Sequence, residues 1–253
     1  MKTKMYVDDG RFIAGMTMKD GTEPEQNNMA LHACENAEMV VENRKRLAEF
    51  MNCSLEDFVC AHQTHSASFR RVTPADKGRG ADLAVTAIPD TDALYTFEPN
   101  TVLCSFTADC VPVIFYSEKA GLTGVIHSGW QGTVKEISLK LFVHLKQAEQ
   151  IDLNDVHVQI GAALSQEKFE VDEDVYVKFG KLGYADELMY YNRETSKYHI
   201  DNQLTVKRQC ELAGIPGNQI TVDRTCTFLN PDGFSYRQDK KAGRHLSFIM
   251  RRE

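Results

Sequence analysis

The run Val111-Pro112-Val113-Ile114-Phe115-Tyr116 is followed by Ser117-Glu118-Lys119-Ala120-Gly121 and then by Leu122-Thr123-Gly124-Val125-Ile126-His127. Two apolar runs of strand length, rich in β-branched residues and separated by turn formers, predict a hairpin. Upstream, residues 102–106 form a third apolar run of strand length. Downstream, Gly129-Trp130-Gln131-Gly132-Thr133 reads as a loop, and 134–150 as one amphipathic helix with Ile137, Leu141, Phe142 and Leu145 on a single face. Residues 39–51 also have helical spacing, with Val40, Val41, Leu47 and Phe50 placed together. Residues 156–160, 220–227 and 246–251 read as strands and 172–182 as a helix, while 59–72 is ambiguous. Asp201 or Asn202 caps a helix through Leu212 that Gly214 ends. Strands and helices mix without strict alternation. That predicts a layered α/β (α+β) architecture rather than a Rossmann fold or a TIM barrel. With no repeat and no Gly-, Ser- or Pro-rich linker, residues 1–253 read as a single domain.

Composition narrows the function classes. The 253 residues are 42% hydrophobic and 26% charged, with a formal net charge of -7. An acidic chain argues against a nucleic-acid binder, which needs a surplus of Lys and Arg for phosphate contacts. No run reaches the ~20 apolar residues that span a bilayer. The first residues lack the apolar core of a signal peptide. Seven scattered cysteines are an odd number and suggest free thiols in a reducing compartment. The expectation is a cytoplasmic enzyme with no nucleic-acid, membrane or obligate protein partner. No GxGxxG or Walker pattern points to a dinucleotide or P-loop site.

Three segments carry chemistry: Ala61-His62-Gln63-Thr64-His65-Ser66, Thr107-Ala108-Asp109-Cys110-Val111-Pro112 and Ile126-His127-Ser128-Gly129-Trp130-Gln131-Gly132-Thr133. If Glu118-Lys119 is the tip of the hairpin, Cys110 stands directly opposite His127, with Cα atoms ~4.5–5.5 Å apart. Such a pair can share a metal or act as a Cys–His nucleophile pair. Thiolate and imidazole suit zinc, and His62 or His65 would supply a third ligand, leaving one position open. The bland alternatives are a buried core cysteine and a hydrogen-bonded structural histidine.

Taken in order, these segments resemble the signature of the YfiH-type family, called the multicopper polyphenol oxidase or laccase-domain family and now viewed as purine nucleoside phosphorylases. That signature runs roughly Q-V-H-G, T-A-D-C-x-P and H-A-G-W-R-G-T. Further matches are Asn43-Arg44, Asp92-Ala93-Leu94, Ile160-Gly161, Phe169-Glu170-Val171, Phe234-Ser235-Tyr236-Arg237 and Gly243-Arg244. The resemblance spans roughly residues 30 to 250. It implies a layered α/β/β/α fold and a zinc site of His65, Cys110 and His127, with copper as the alternative metal. It implies that these three residues are catalytic. It also implies substrate contacts at Arg44, His62, Asp92, Arg237 and Arg244. The implied substrates are purine nucleosides and phosphate, and the implied reactions are phosphorolysis of adenosine, inosine, guanosine and methylthioadenosine and deamination of adenosine. Asp92 and Asp109 are candidate proton carriers, and Trp130 is a candidate stacking partner for a purine. Gln131 and Gln238 stand where the family pattern has Arg, which removes two guanidiniums from phosphate handling. Two other functions use the same residues: a hydrolase or deamidase with Cys110 as nucleophile and His127 as base, and a copper-dependent polyphenol oxidase. Eight histidines with no His-x-His pair are few for a multicopper centre.

Overall fold

The computed structural model describes residues 1–253. In chain order its elements are β1 (Thr3–Asp8), β2 (Phe12–Thr17), α1 (Ala37–Met51), β3 (Phe58–Cys60), β4 (Phe69–Arg71), β5 (Ala93–Thr96) and β6 (Val102–Thr107). Then come β7 (Val111–Ser117), β8 (Leu122–Ser128), α2 (Trp130–Val134), α3 (Ile137–Gln147), β9 (His157–Ile160), β10 (Glu170–Val171) and α4 (Glu173–Gly180). The chain closes with β11 (Met189–Asn192), β12 (Lys197–Ile200), α5 (Asn202–Ala213), β13 (Ile220–Val222) and β14 (His245–Arg251).

Three sheets result. One has the order β1-β2-β14-β6-β3, one β13-β9-β7-β8-β5-β4, and a small one β10-β12-β11. The layering follows from the two-residue period of the strands. On β6, Val102, Cys104 and Phe106 point to the layer holding Leu47, Ala48 and Met51 of α1, whereas Leu103 points the other way. On β7, Val113 and Phe115 face Leu141, Phe142 and Leu145 of α3 and Val206 and Cys210 of α5, whereas Ile114 turns inward. Leu103, Ile114, Val125 and Ile249 meet between the two large sheets. The order is therefore helix, sheet, sheet, helix, as the resemblance implies. No helix is long and apolar enough to cross a membrane.

Five sequence expectations are corrected. The hairpin forms, but its last pair is Ser117 with Leu122 and its connection is the four residues Glu118–Gly121, with Gly121 at φ 65. His127 therefore faces Pro112, and Cys110 lies just before the strand. The helix expected over 134–150 is interrupted at Glu136, whose φ of 61 ends α2 before α3 begins. The buried face of α1 is Val40, Asn43, Arg44, Leu47, Ala48 and Met51, while Phe50 is half exposed. Arg44 is no substrate ligand: only 2% exposed, it donates from Nε to the Met29 carbonyl and from Nη1 to those of Gly80 and Ala81. Three carbonyls without other donors take the place of the anion that the sequence suggested. The strand expected over 220–227 ends at Val222.

Caps at Asp201 and Gly214 are as read. Asp201 accepts from Leu204 N, and Gly214 is left-handed at φ 113.

One close approach fixes the centre of the large sheet. Gly124 is paired with Phe115, and a Cβ on Gly124 would sit 1.9 Å from Phe115 Cζ. The Phe115 ring crosses this glycine to pack edge-on against Phe142, with centroids 5.0 Å apart. Gly124→Ala should therefore destabilise the chain by about 1–3 kcal/mol, as overpacking does, measured by urea unfolding. Unchanged stability would show that the ring has another place to go.

Candidate metal centre

The fold carries the chain from one large sheet to the other twice at the same end. β3 and β6 are parallel neighbours. After β3 the chain crosses through residues 61–68 to β4, and after β6 it crosses through residues 108–110 to β7. The first crossing bears His65 and the second Cys110. β8 runs antiparallel to β7 and delivers His127 beside that second crossing. Both turns use left-handed backbone, at His65 (φ 57) and Asp109 (φ 82), a conformation that costs about 1–2 kcal/mol for a residue with a Cβ.

The donor atoms of His65, Cys110 and His127 all lie within 4.8 Å of one another, and no other His, Cys, Asp or Glu residues converge this way. His65 Nε2 is 3.8 Å from Cys110 Sγ, and the two imidazoles meet edge-on with centroids 4.8 Å apart. Gly129 makes room: a Cβ there would come within 2.6 Å of His65 Cδ2 and 3.0 Å of Cys110 Sγ. Two nitrogens and one sulfur, with a cavity on the open side, fit a zinc ion.

Asp92 builds this cluster from behind. Its carboxylate accepts from the backbone N–H groups of Thr64, His65 and Ser66, at 3.2, 3.1 and 2.7 Å, and from the Ser66 hydroxyl at 2.6 Å. It also holds His127 Nδ1 at 2.8 Å, which leaves Nε2 for a metal. Asp92 was expected to contact substrate or carry protons. Its side chain has no exposed surface, so it positions His65 and His127 instead. Gln63 ties the same loop to β6, donating to the Phe106 carbonyl and accepting from the Phe106 N–H, each at 2.8 Å.

Charge follows geometry. Burial would raise the Cys110 thiol, but the His127 charge and hydrogen bonds from both imidazoles outweigh it and hold the thiol at about 6. Burial would lower His127, but the Cys110 charge and the Asp92 hydrogen bond push it up to about 9. Asp92 stays at about 2: burial opposes its charge, and bonds from His127 and Ser66 overcome that. Without metal, the pair is thiolate and imidazolium near neutral pH.

The open side is a cavity of about 420 Å³ lined by His65, Cys110, Trp130, Phe169, Tyr236 and Arg237 among others. Asp109 also lines it, but its carboxylate accepts from Thr227 Oγ1 and Arg237 N. Arg237 reaches across to the Glu170 carbonyl. His62 is exposed on the first crossing and does not line this cavity. Arg244 lines a neighbouring cavity. Gln131 is exposed, and one helical turn on Lys135 donates to the His65 carbonyl at 2.7 Å. This places a cation beside the cluster that the motif reading missed. All seven cysteines are unbridged, and those other than Cys110 are buried or half-buried and stand outside the cluster.

A family model described as "Multi-copper polyphenol oxidoreductase laccase" matches residues 14–252. The crystal structure of Bacillus licheniformis hypothetical protein YfiH superposes with a TM-score of 0.92 at 31% identity, covering 98% of this chain and 99% of that one. That of YlmD from Geobacillus stearothermophilus gives 0.90 at 32% identity, covering 99% and 100%. In sequence, the chain is 37% identical over 249 residues to a Geobacillus stearothermophilus protein named purine nucleoside phosphorylase YlmD, covering 95% of this chain and 90% of that protein. It is 34% identical over 226 residues to a purine nucleoside phosphorylase of Bacteroides thetaiotaomicron, covering 88% and 84%.

Two outcomes test the cluster. At pH values between the two pKa values, zinc binding should release about one proton per metal, from His127. The release should grow below pH 6, where the thiol must also deprotonate, and fall away above pH 9. Titration in weak buffer reads it, and a pH-independent release would contradict the pair. Asp92→Asn should weaken zinc binding by about 10–100-fold, measured by competition with a chelator.

Proposed function

The chain belongs to the family described as multi-copper polyphenol oxidoreductase laccase, and on that premise we propose that it is a zinc-dependent purine nucleoside phosphorylase that also deaminates adenosine. One observation carries this reading: the single His65, Cys110 and His127 cluster opens onto a cavity of nucleoside size, in a chain whose relatives are named purine nucleoside phosphorylases. His65, Cys110 and His127 would hold the zinc. Bound there, zinc supplies Lewis-acid activation of a water or of a substrate heteroatom.

The residues of the chain supply the rest. Trp130, Phe169, Leu164 and Val171 give the cavity an apolar wall suited to a purine or to a methylthio group, and Tyr236 stands at its edge. In phosphorolysis, a phosphate oxygen forms a bond to the sugar C1′ as the C1′–N9 bond breaks. The electron pair leaves with the purine, which takes up a proton; the products are free base and ribose 1-phosphate. Arg237 and Arg244 are the guanidiniums in range of phosphate, Arg244 within the electrostatic reach of Cys110. In deamination, water oxygen adds at C6 of adenine, the C6–N bond breaks, and ammonia leaves with the protons it needs. Asp109, which lines the cavity and whose carboxylate accepts from Thr227 Oγ1 and Arg237 N, is the proton carrier in this reading.

A second reading rests on a specific observation. Cys110, His127 and Asp92 are arranged as nucleophile, base and orienting carboxylate, and the thiol is held at about 6, as in a cysteine hydrolase or deamidase. Copper-dependent phenol oxidation finds less support, because several copper sites are needed and one ligand cluster exists.

Metal analysis and one assay separate these readings. About one zinc per chain, with adenosine converted to adenine and ribose 1-phosphate only when phosphate is present, supports the phosphorylase. Conversion to inosine adds the deaminase. Turnover by metal-free protein, stopped by thiol alkylation, would replace both with the hydrolase. Cys110→Ala should abolish metal binding and activity, whereas His62→Ala should leave the metal bound.

A further inference from the structure

The small sheet places three side chains in one row. Glu170 on β10 is opposite His199 on β12, and His199 is opposite Tyr190 on β11. Directly opposed residues project from the same face of a sheet, so a carboxyl, an imidazole and a phenol stand side by side. Glu170 lines the cavity beside the cluster, its side chain 39% exposed. His199 behind it is 2% exposed. Its ring lies flat on that of Tyr190, with centroids 4.7 Å apart and planes 2° from parallel.

On the phosphorylase reading, on which this rests, we propose that Glu170, backed by His199, is the catalytic proton donor, delivering a proton to a ring nitrogen of the departing purine. Phe169 and Val171 flank Glu170 in the wall against which the purine is placed. The backbone of this strand is pinned to the facing wall, because Arg237 Nη1 donates to the Glu170 carbonyl at 2.9 Å.

The partners of His199 put the proton there. Its Nδ1 lies 3.1 Å from the Gln166 carbonyl oxygen, which can only accept, so Nδ1 carries a hydrogen. Gln166 is itself held, donating from Nε2 to the Leu188 carbonyl at 2.9 Å. Nε2 of His199 has no hydrogen-bond partner, and Glu170 Oε1 stands 3.5 Å from it. In a neutral ring this nitrogen offers a lone pair, and an ionised carboxylate offers another. Two lone pairs face to face repel, whereas one proton between them joins the pair. A buried nitrogen left without that proton is an unsatisfied group, which is costly. The pair therefore stores a proton, and the carboxyl presents it to the cavity.

The other carboxylates of the cavity are committed elsewhere. Asp109 accepts through both oxygens, Asp172 is paired with Lys197, and Asp174 with Lys178. The cations within electrostatic reach of Glu170, Lys168 and Lys197, are paired with Glu167 and Asp172. The step balances. An oxygen of hydrogen phosphate bonds to C1′, the C1′–N9 bond breaks, and its electron pair enters the purine. The stored proton passes from Glu170 to the purine. The proton that hydrogen phosphate sheds on becoming an ester restores the pair.

The test is steady-state phosphorolysis by the zinc-loaded protein, with inosine and with 7-methylinosine as substrates. The methyl group gives the base its positive charge beforehand, so that base leaves without a proton. Glu170→Gln should lower kcat for inosine by about 100-fold or more, as loss of a general acid does. KM should stay within about threefold and kcat for 7-methylinosine within about fivefold. His199→Gln should lower kcat for inosine by less and spare 7-methylinosine in the same way, whereas a merely structural role would slow both substrates alike. Glu170→Asp should recover part of the loss. Zinc content and unfolding midpoints confirm that each variant is loaded and folded. If the parent chain cleaves inosine with phosphate and Glu170→Gln slows neither substrate, or both equally, the donor is wrong and the phosphorylase reading stands. If the parent chain cleaves neither nucleoside with phosphate, the reading and the donor fall together.

Discussion

The carboxylate of Asp92 organises the centre of this molecule. A buried negative charge is costly unless it is fully hydrogen-bonded, and Asp92 meets that requirement by drawing in three consecutive N–H groups, a hydroxyl and an imidazole. In doing so it fixes the left-handed turn at His65 and selects the tautomer of His127. Two of the three residues that could hold a metal are thus set by a residue that would not touch it. The third, Cys110, arrives through the left-handed turn at Asp109, which is held by Thr227 and Arg237.

The site lies where it does because of the sheet topology. Two stacked sheets need connections, and here two of them fall at one end because β3 and β6 are parallel neighbours. Crossing residues are freed from strand pairing, so their side chains can converge. The glycine at 129 removes the one Cβ that would keep the rings from the thiol. The small β10-β12-β11 sheet and α4 then close a wall over the open face, with Phe169, Val171 and Trp130 packed together.

The two cavities differ in character. The first joins the cluster to apolar walls and is suited to a nucleoside. The second is lined by acidic and basic side chains alike, Glu23, Glu25, Glu35 and Asp239 beside Lys19, Lys240, Lys241 and Arg244. Lys135 adds a further cation on the His65 carbonyl.

The elements were largely legible in the sequence, because strand and helix periods are local properties. The hairpin at 111–127, the caps at Asp201 and Gly214 and the helix of 39–51 all follow from residues near one another. The cluster of His65, Cys110 and His127 was legible through the ordered family signature. Tertiary structure decided the rest. The register shifted because a four-residue connection replaced a two-residue tip. The helix at 134–150 broke at Glu136, whose backbone geometry no propensity foretells. Arg44 and Asp92 could be read as charged residues in matched motifs, yet burial assigned one to three carbonyls and the other to positioning two ligands. Periodicity determines which residues a chain buries, and only packing determines which distant partners satisfy a buried charge.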